Sequence, residues 1–386
     1  MVFNKVKKFL LKNNFIYKLN ADNKCKKIKQ QYKSITEHYS NYDLIHENKY
    51  LLIEKGFNQS WENKFTDRKI STFYLGTDEY QDKSGILNSL SKFTDLKYFT
   101  QKDGSYGHAK YYDKLYKINT SDRLRDLFNI YGKEIDILIM QSWGSTIDVK
   151  TLLYLKKKYD FKIIQISMDD RHTFWINGNP SNGVAELLPA IDIALTAACE
   201  CVNWYNIENV PSFYFPEASC SEIFYPLNIQ KVYDVGFVGA KYGIRQKIIN
   251  KLKQNGFNVV CYGNGWSNGR LPLEKTNEFY NKCKIVLGIG TIGYCEDFYS
   301  LKMRDFDVPM SGSCYVTSCN PDLLNLYNND EIGLYKNIDD CINQISYIIK
   351  DKKYLEMGYK ALRRASSEHT YDHRIRSIFK NIGIQL

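Results

Sequence analysis

The chain contains no apolar run reaching the roughly 18 residues that a membrane-crossing helix needs. Its start lacks an apolar core followed by a small-residue cleavage site. Membrane spanning and signal-directed secretion are therefore not expected. A cytoplasmic location is, with a peripheral place at a membrane surface as the variation. Ten cysteines are present but form no Cys-x-x-Cys pair and no Cys/His cluster at zinc spacing, and the closest two are Cys199 and Cys201. Reduced thiols acting as small buried hydrophobes are the expectation. No internal repeat is visible, and the only biased segment is the lysine-rich start.

What is present points to a two-domain α/β protein. A chain of 386 residues exceeds one ordinary core. The abundance of Tyr (31) and Phe (20), with an Asn/Lys/Ile bias, reads as codon usage of an AT-rich genome and not as a functional signal. The net charge of +10 favours anionic partners: nucleotide diphosphates, anionic lipid or nucleic acid. Much of that charge lies in one segment, at Lys5, Lys7, Lys8, Lys12, Lys18, Lys24, Lys26, Lys27 and Lys29. There Val2, Val6, Phe9 and Leu10 share a helical face, which suits packing on the body of the protein or docking on an anionic membrane surface or DNA.

Residues 1–65 read as a basic, mostly helical extension. Beyond them, apolar runs alternate with helical patterns: 71–76, 135–140, 161–167, 190–196 and 211–216, then 233–239, 257–263, 284–290 and 314–318. Strand-helix alternation predicts doubly wound parallel sheets. Two Rossmann-like units are expected, over 66–216 and 232–365, joined near 217–231 and followed by a last helix over 366–386.

The most informative stretch is LKMRDFDVPMSGSCYVTS from Leu301. Lys302 and Arg304 precede the acid Asp307, and Pro309 and a Ser311-Gly312 turn follow. The spacing predicts a helix-to-strand junction, with groups suited to a nucleotide diphosphate at a ligand-binding edge of the sheet. In CYGNGW, Gly263 and Gly265 let the backbone approach a ligand, and Tyr262 or Trp266 is available to stack on a base. Gly288 and Gly290 close another strand.

Six landmarks in order carry a resemblance: VGFVGAKYGIRQ, CYGNGW, KIVLGIG, LKMRDFDVPMSGSCYVTS, DEIGLYKN and EHTYDHR. From about Tyr233 to Phe379 the chain resembles the C-terminal half of the CgeB-like, spore-maturation-type glycosyltransferases of the GT-B fold. The N-terminal half agrees more loosely. The resemblance implies a nucleotide-sugar donor on the C-terminal domain, a hydroxyl acceptor facing it from the N-terminal domain, and a final helix crossing back. Neither a metal nor a cofactor is implied. The acids of DDRH, Asp169 and Asp170, are adjacent rather than spaced as in the metal-binding Asp-x-Asp of other glycosyltransferases. Arg245, opening a helix after the Gly239 turn, and the Lys302/Arg304 pair are the expected diphosphate ligands.

Asp307 lies five residues before Gly312, where enzymes of the Glu-x7-Glu type carry a ribose-binding acid. Eight residues earlier stands Tyr299 instead of an acid. Glu331 resembles a family position near the nucleotide. His369 and Arg374 read as braces of the cleft. On the acceptor side Asp78, His108 and Asp170 are the expected candidates for a catalytic base, with Glu79, Asp169 and His172 beside them. The alternative functions are glycosyl transfer to hypermodified phage DNA and non-catalytic nucleotide or glycan binding on the same fold.

Overall fold

The computed structural model describes residues 14–42, 47–65, 67–108 and 115–386, with side chains from residue 21 onward. The apolar face proposed for Val2, Val6, Phe9 and Leu10 lies outside the described residues. Among the described residues no helix is long and apolar enough to cross a membrane.

Continuous apolar runs such as Ile137–Met140 and Ile193–Thr196 are buried on both faces, the pattern of strands inside a parallel sheet covered by helices. Ile137 and Ile139 face one helical layer while Leu138 and Met140 face the other. The first sheet comprises β1 (Ser71–Leu75), β2 (Asp95–Tyr98), β3 (Ile137–Met140), β4 (Lys162–Ser167), β5 (Ile193–Thr196) and β6 (Ser212–Tyr214), all parallel, in the order β2-β1-β3-β4-β5-β6. The second comprises β7 (Tyr233–Val238), β8 (Val259–Tyr262), β9 (Cys283–Leu287), β10 (Cys314–Ser318) and β11 (Gly333–Tyr335), also parallel, in the order β11-β10-β9-β7-β8. Both sheets reverse their winding at the same place, between the first and third strands in sequence. A doubly wound sheet binds its ligands at that reversal, beyond the carboxyl ends of the strands. Strand β2 is missing from the sequence expectation because it is a half-exposed edge strand, DLKY, without an apolar run.

The two domains face one another across a cleft, and the chain crosses between them twice. After β6 it passes through Pro216 to Ser219 into the second domain. It returns where the helix Tyr354–Glu368 ends and the helix Tyr371–Asn381 begins. The crossings are hydrogen-bonded together: Ser219 N donates to His369 O (3.0 Å), and Tyr371 N donates to Ser219 O (3.0 Å). His369 Nε2 donates to Leu326 O (2.9 Å), and its Nδ1 accepts from Arg374 (3.3 Å). Burial holds its imidazole below the usual value. His369 is thus a neutral brace. The helix Tyr354–Glu368 lies so close to the second sheet that a Cβ on Gly358 would stand 2.4 Å from Gly312 O.

The last helix then buries Tyr371, Ile375, Ile378 and Phe379 among Ile86, Leu90 and Ile137 of the first domain. On the opposite flank the helix Asn14–Ser40 packs Ile35 and Tyr39 into the first domain, while Tyr32 meets Phe298 of the second at 5.0 Å.

Phe379 is 1% exposed. Phe379→Ala should lower unfolding free energy by about 3–5 kcal/mol, because the packed core of the first domain can only partly collapse into the void. Urea unfolding followed by circular dichroism checks this.

Candidate active site

The second sheet places two guanidinium groups at its winding reversal. Strand β7 ends at Val238, and Gly239 turns the chain away. Arg304, opening the helix Arg304–Met310, donates to Val238 O at 2.7 Å. Arg245, opening the helix Arg245–Gln254, donates to Ala240 O at 2.9 Å. Both lie over the Phe237 ring, at 5.4 and 5.6 Å. A Cβ on Gly239 would meet their NH1 atoms at 3.1 and 3.4 Å, so a glycine keeps this corner open.

Neither arginine has a carboxylate ion-pair partner among the described residues. Arg245 Nε and Arg304 Nε and NH2 are buried without hydrogen-bond partners. Burial and the adjacent Arg304 bring the Arg245 guanidinium down to about 10. Like charges held together and partly desolvated are costly unless an anion joins them, and guanidinium forks match carboxylate or phosphate oxygens.

Lys302 extends this cationic edge. Its Nζ donates to Ser300 Oγ (2.5 Å) and stands 3.6 Å from Asp169 Oδ1 of the opposite domain. The acids nearby do not neutralise the arginines. Asp305 accepts from Lys302 N (2.7 Å) and Tyr315 OH (2.6 Å). Asp307 accepts from Ser219 Oγ (2.8 Å), and burial holds its carboxyl well above the usual range. These two residues do have an Asp-x-Asp spacing, which the sequence reading passes over. Their carboxyls are buried on these partners. Among the described residues no group of three or more His, Cys, Asp or Glu is placed to hold a metal ion.

Several expected residues stand elsewhere. Pro309 lies inside the helix Arg304–Met310, not at its end. The helix therefore carries Ser311 and Gly312 about 10 Å from Arg304, to the amino end of β10. Glu331 likewise precedes β11, where it accepts from Asn328 N (2.7 Å) and Arg364 Nε (3.3 Å). In a parallel sheet the amino ends face away from the cleft, so Ser311, Gly312 and Glu331 are structural.

A base stacked on Tyr262 or Trp266 is the expectation from sequence. The structure instead uses Trp266 Nε1 to hold Gly239 O (2.8 Å), with Lys241 over the indole, and packs Tyr262 on Phe279. Gly263, at φ 129°, is required here, since a Cβ would fall 2.3 Å from Gly239 O. Gly265 lies beside Lys241, and Gly290 N donates to Ser318 Oγ (3.0 Å) at the end of β9.

Of the acceptor-side candidates, Asp78 faces the cleft. It follows β1, caps the next helix through Tyr80 N (3.0 Å), and accepts from Arg270 of the other domain at 3.0 Å. His108 does not face it: the side chain is fully buried, donates from Nε2 to Gln141 O (2.8 Å), and meets Tyr116 OH at Nδ1 (2.6 Å). Burial pulls its imidazole down to about 4, leaving it neutral and fully engaged.

Asp170 turns inward to Tyr205 OH (2.9 Å), and burial pushes its carboxyl up to about 7. The cleft acid of that pair is Asp169. Burial alone would raise its carboxyl, but Lys302 and His172 hold it below the usual value. Sequence reasoning also missed Glu217, which follows β6 and stands where the chain enters the second domain. An acid just past a strand's carboxyl end was the available signal.

Between the domains lies a cavity of about 830 Å³ lined by Thr77, Asp78, Tyr80, Tyr98, Tyr106 and Arg270, among others. Tyr80 OH meets Thr276 Oγ1 across it at 2.9 Å. At the other flank Arg171 bonds Glu200 of its own domain (2.7 Å) and Asp322 of the other (2.6 Å).

Residues 245–380 match the family model described as glycosyl transferase-like. No curated protein is similar in sequence beyond chance. Solved structures share the fold. Sucrose-phosphate synthase from Thermosynechococcus elongatus superposes with a TM-score of 0.59 at 11% identity, over 81% of this chain and 98% of that one. Anabaena HepE, solved with UDP-glucose, gives 0.56 at 10% identity, over 81% and 99%. The DNA-modifying enzyme β-glucosyltransferase, solved with and without uridine diphosphoglucose, gives 0.53 at 14% identity, over 82% and 99%. The chain has the GT-B fold, two Rossmann-like domains about a cleft. The glycosyl transferase-like family match covers the second domain of that fold.

Arg304→Ala should weaken binding of a nucleoside diphosphate at least tenfold, about 1.4 kcal/mol. The melting temperature of the ligand-free protein should change little, because a mutual repulsion disappears with the side chain. Calorimetric titration and differential scanning calorimetry check the two halves.

Proposed function

We propose that the protein moves a sugar from a uridine-diphosphate donor to a hydroxyl of a carbohydrate acceptor, without a metal. The observation that carries this reading is the Arg245/Arg304 pair, held without a carboxylate at the winding reversal of the second sheet. As the bond between the sugar and the diphosphate breaks, negative charge grows on the leaving phosphate. Arg245, Arg304 and Lys302 are positioned to stabilise it, which is the task a metal ion would otherwise perform. The uridine assignment draws on HepE and the β-glucosyltransferase, whose structures contain UDP-glucose. The finer kinship with the spore-maturation-type subgroup rests on the ordered landmarks in the second domain.

The carbohydrate acceptor is favoured by the cavity beside Asp78. Tyr80, Tyr98 and Tyr106 offer aromatic surface, and the lining carries Asp78, Glu79 and Glu274 against Lys83 and Arg270. A neutral, hydroxyl-rich ligand suits such walls, whereas a polyanion would meet three carboxylates. The competing acceptor, DNA, draws on the net charge of +10 and on the fold shared with a DNA-modifying enzyme. Asp78 is the carboxylate of this cavity that takes the acceptor proton.

Transfer from radiolabelled UDP-glucose and related donors to a panel of oligosaccharides should proceed in EDTA. Label appearing only in duplex DNA, or activity that returns only with added Mn²⁺ or Mg²⁺, would refute the acceptor or the metal-free assignment respectively.

Asp78→Asn should reduce kcat by about 10²–10⁴-fold, the usual contribution of a general base, while leaving nucleoside diphosphate affinity near normal. Steady-state kinetics alongside calorimetry separates these effects.

A further inference from the structure

The stretch from Pro216 to Ser219 is hydrogen-bonded at both ends. Pro216 O accepts from Arg374 Nε (3.2 Å), Ser219 bonds the backbone of His369 and Tyr371, and Ser219 Oγ bonds Asp307. Between them Glu217 is 7% exposed, and its Oε2 is buried with no hydrogen-bond partner. An unsatisfied buried polar atom costs about 1–3 kcal/mol and calls for an explanation. The charged and titratable groups that act on this carboxyl are Lys302, Asp305, Asp169 and Arg304, with Asp307 and Tyr371 beside it. Two of these, Lys302 and Arg304, are the cations assigned to the diphosphate.

We propose that Glu217 is a donor-binding residue whose unpartnered carboxyl oxygen hydrogen bonds to an oxygen of the bound nucleotide sugar. This rests on the donor reading given above. Burial, opposed only partly by Lys302, pushes the Glu217 carboxyl up to about 8. At neutral pH the group therefore carries a proton and can donate a hydrogen bond where a carboxylate would repel a phosphate. A bound diphosphate adds negative charge nearby and raises the group further, so at a pH of about 8 binding takes up a proton. In the free protein the folded state binds more protons than the unfolded chain between the ordinary 4.5 and about 8. This contribution to stability is complete below that window and is lost as pH rises through it.

The test is calorimetric titration of the full chain with UDP at a pH of about 8, in two buffers of different ionisation enthalpy. Wild type should take up protons on binding. Glu217→Gln, which keeps an N–H donor but cannot titrate, should bind within about threefold of wild type with that uptake abolished. Glu217→Ala should bind about tenfold more weakly. Proton uptake that persists unchanged in Glu217→Gln, or full affinity in a folded Glu217→Ala, would overturn the assignment. If Glu217→Ala fails to fold, the uptake measured on Glu217→Gln decides alone. Weakening by Arg304→Ala with no effect of either Glu217 variant defeats only this proposal. UDP binding unchanged by Arg304→Ala defeats the donor reading beneath it as well.

Discussion

Two guanidinium groups kept together without a counterion organise the second domain. Arg245 and Arg304 come from different helices, share the face of Phe237, and spend their NH1 donors on the carbonyls around the β7 turn. Arg245 Nε and Arg304 Nε and NH2 are buried without hydrogen-bond partners. A surface pair would relax into water, but here the packing of β7, Gly239 and Trp266 prevents that. In the function proposed above, the same repulsion serves catalysis, because positive charge prearranged for an anion needs no reorganisation when a phosphate leaves.

The first domain supplies the other wall and the lock. Asp78 with Arg270, Tyr80 with Thr276, and Arg171 between Glu200 and Asp322 close the cleft at both flanks. A half-buried Arg171 bonded to acids in both domains makes separation of the domains costly, since opening leaves Asp322 without its partner. The two chain crossings are joined to each other at Ser219 and Thr370. Glu217 and Asp307 sit beside that junction, Asp307 bonded to Ser219 itself.

Much of this was legible before any coordinates. Strands such as KIIQIS and CYVTS are apolar throughout because helices cover both faces, and Arg245, Lys302 and Arg304 could be placed beside strand or helix ends. Edge strands β2 and β11 were not seen as strands, because a short edge needs no apolar run. Ser311, Gly312 and Glu331 were misjudged for one geometric reason. A parallel sheet has a ligand end and a blind end, and a glycine turn looks alike at either. His108 and Asp170 were indistinguishable from cleft residues until burial and hydrogen bonding placed them inside.

The sequence by itself determined the class of fold, through periodicity and burial that depend on near neighbours along the chain. It also determined the cationic character of the edge formed by Arg245, Lys302 and Arg304, because a charge cannot hide from composition. Only the tertiary structure decided which carboxyls meet the cleft. Asp169 and Asp170 are adjacent in sequence yet point to Lys302 and to Tyr205, and Glu217 feels Lys302, Arg304 and Asp305 from more than eighty positions away. A side chain's charge state depends on water and counterions around it in space, and that information is created when the two domains close on one another.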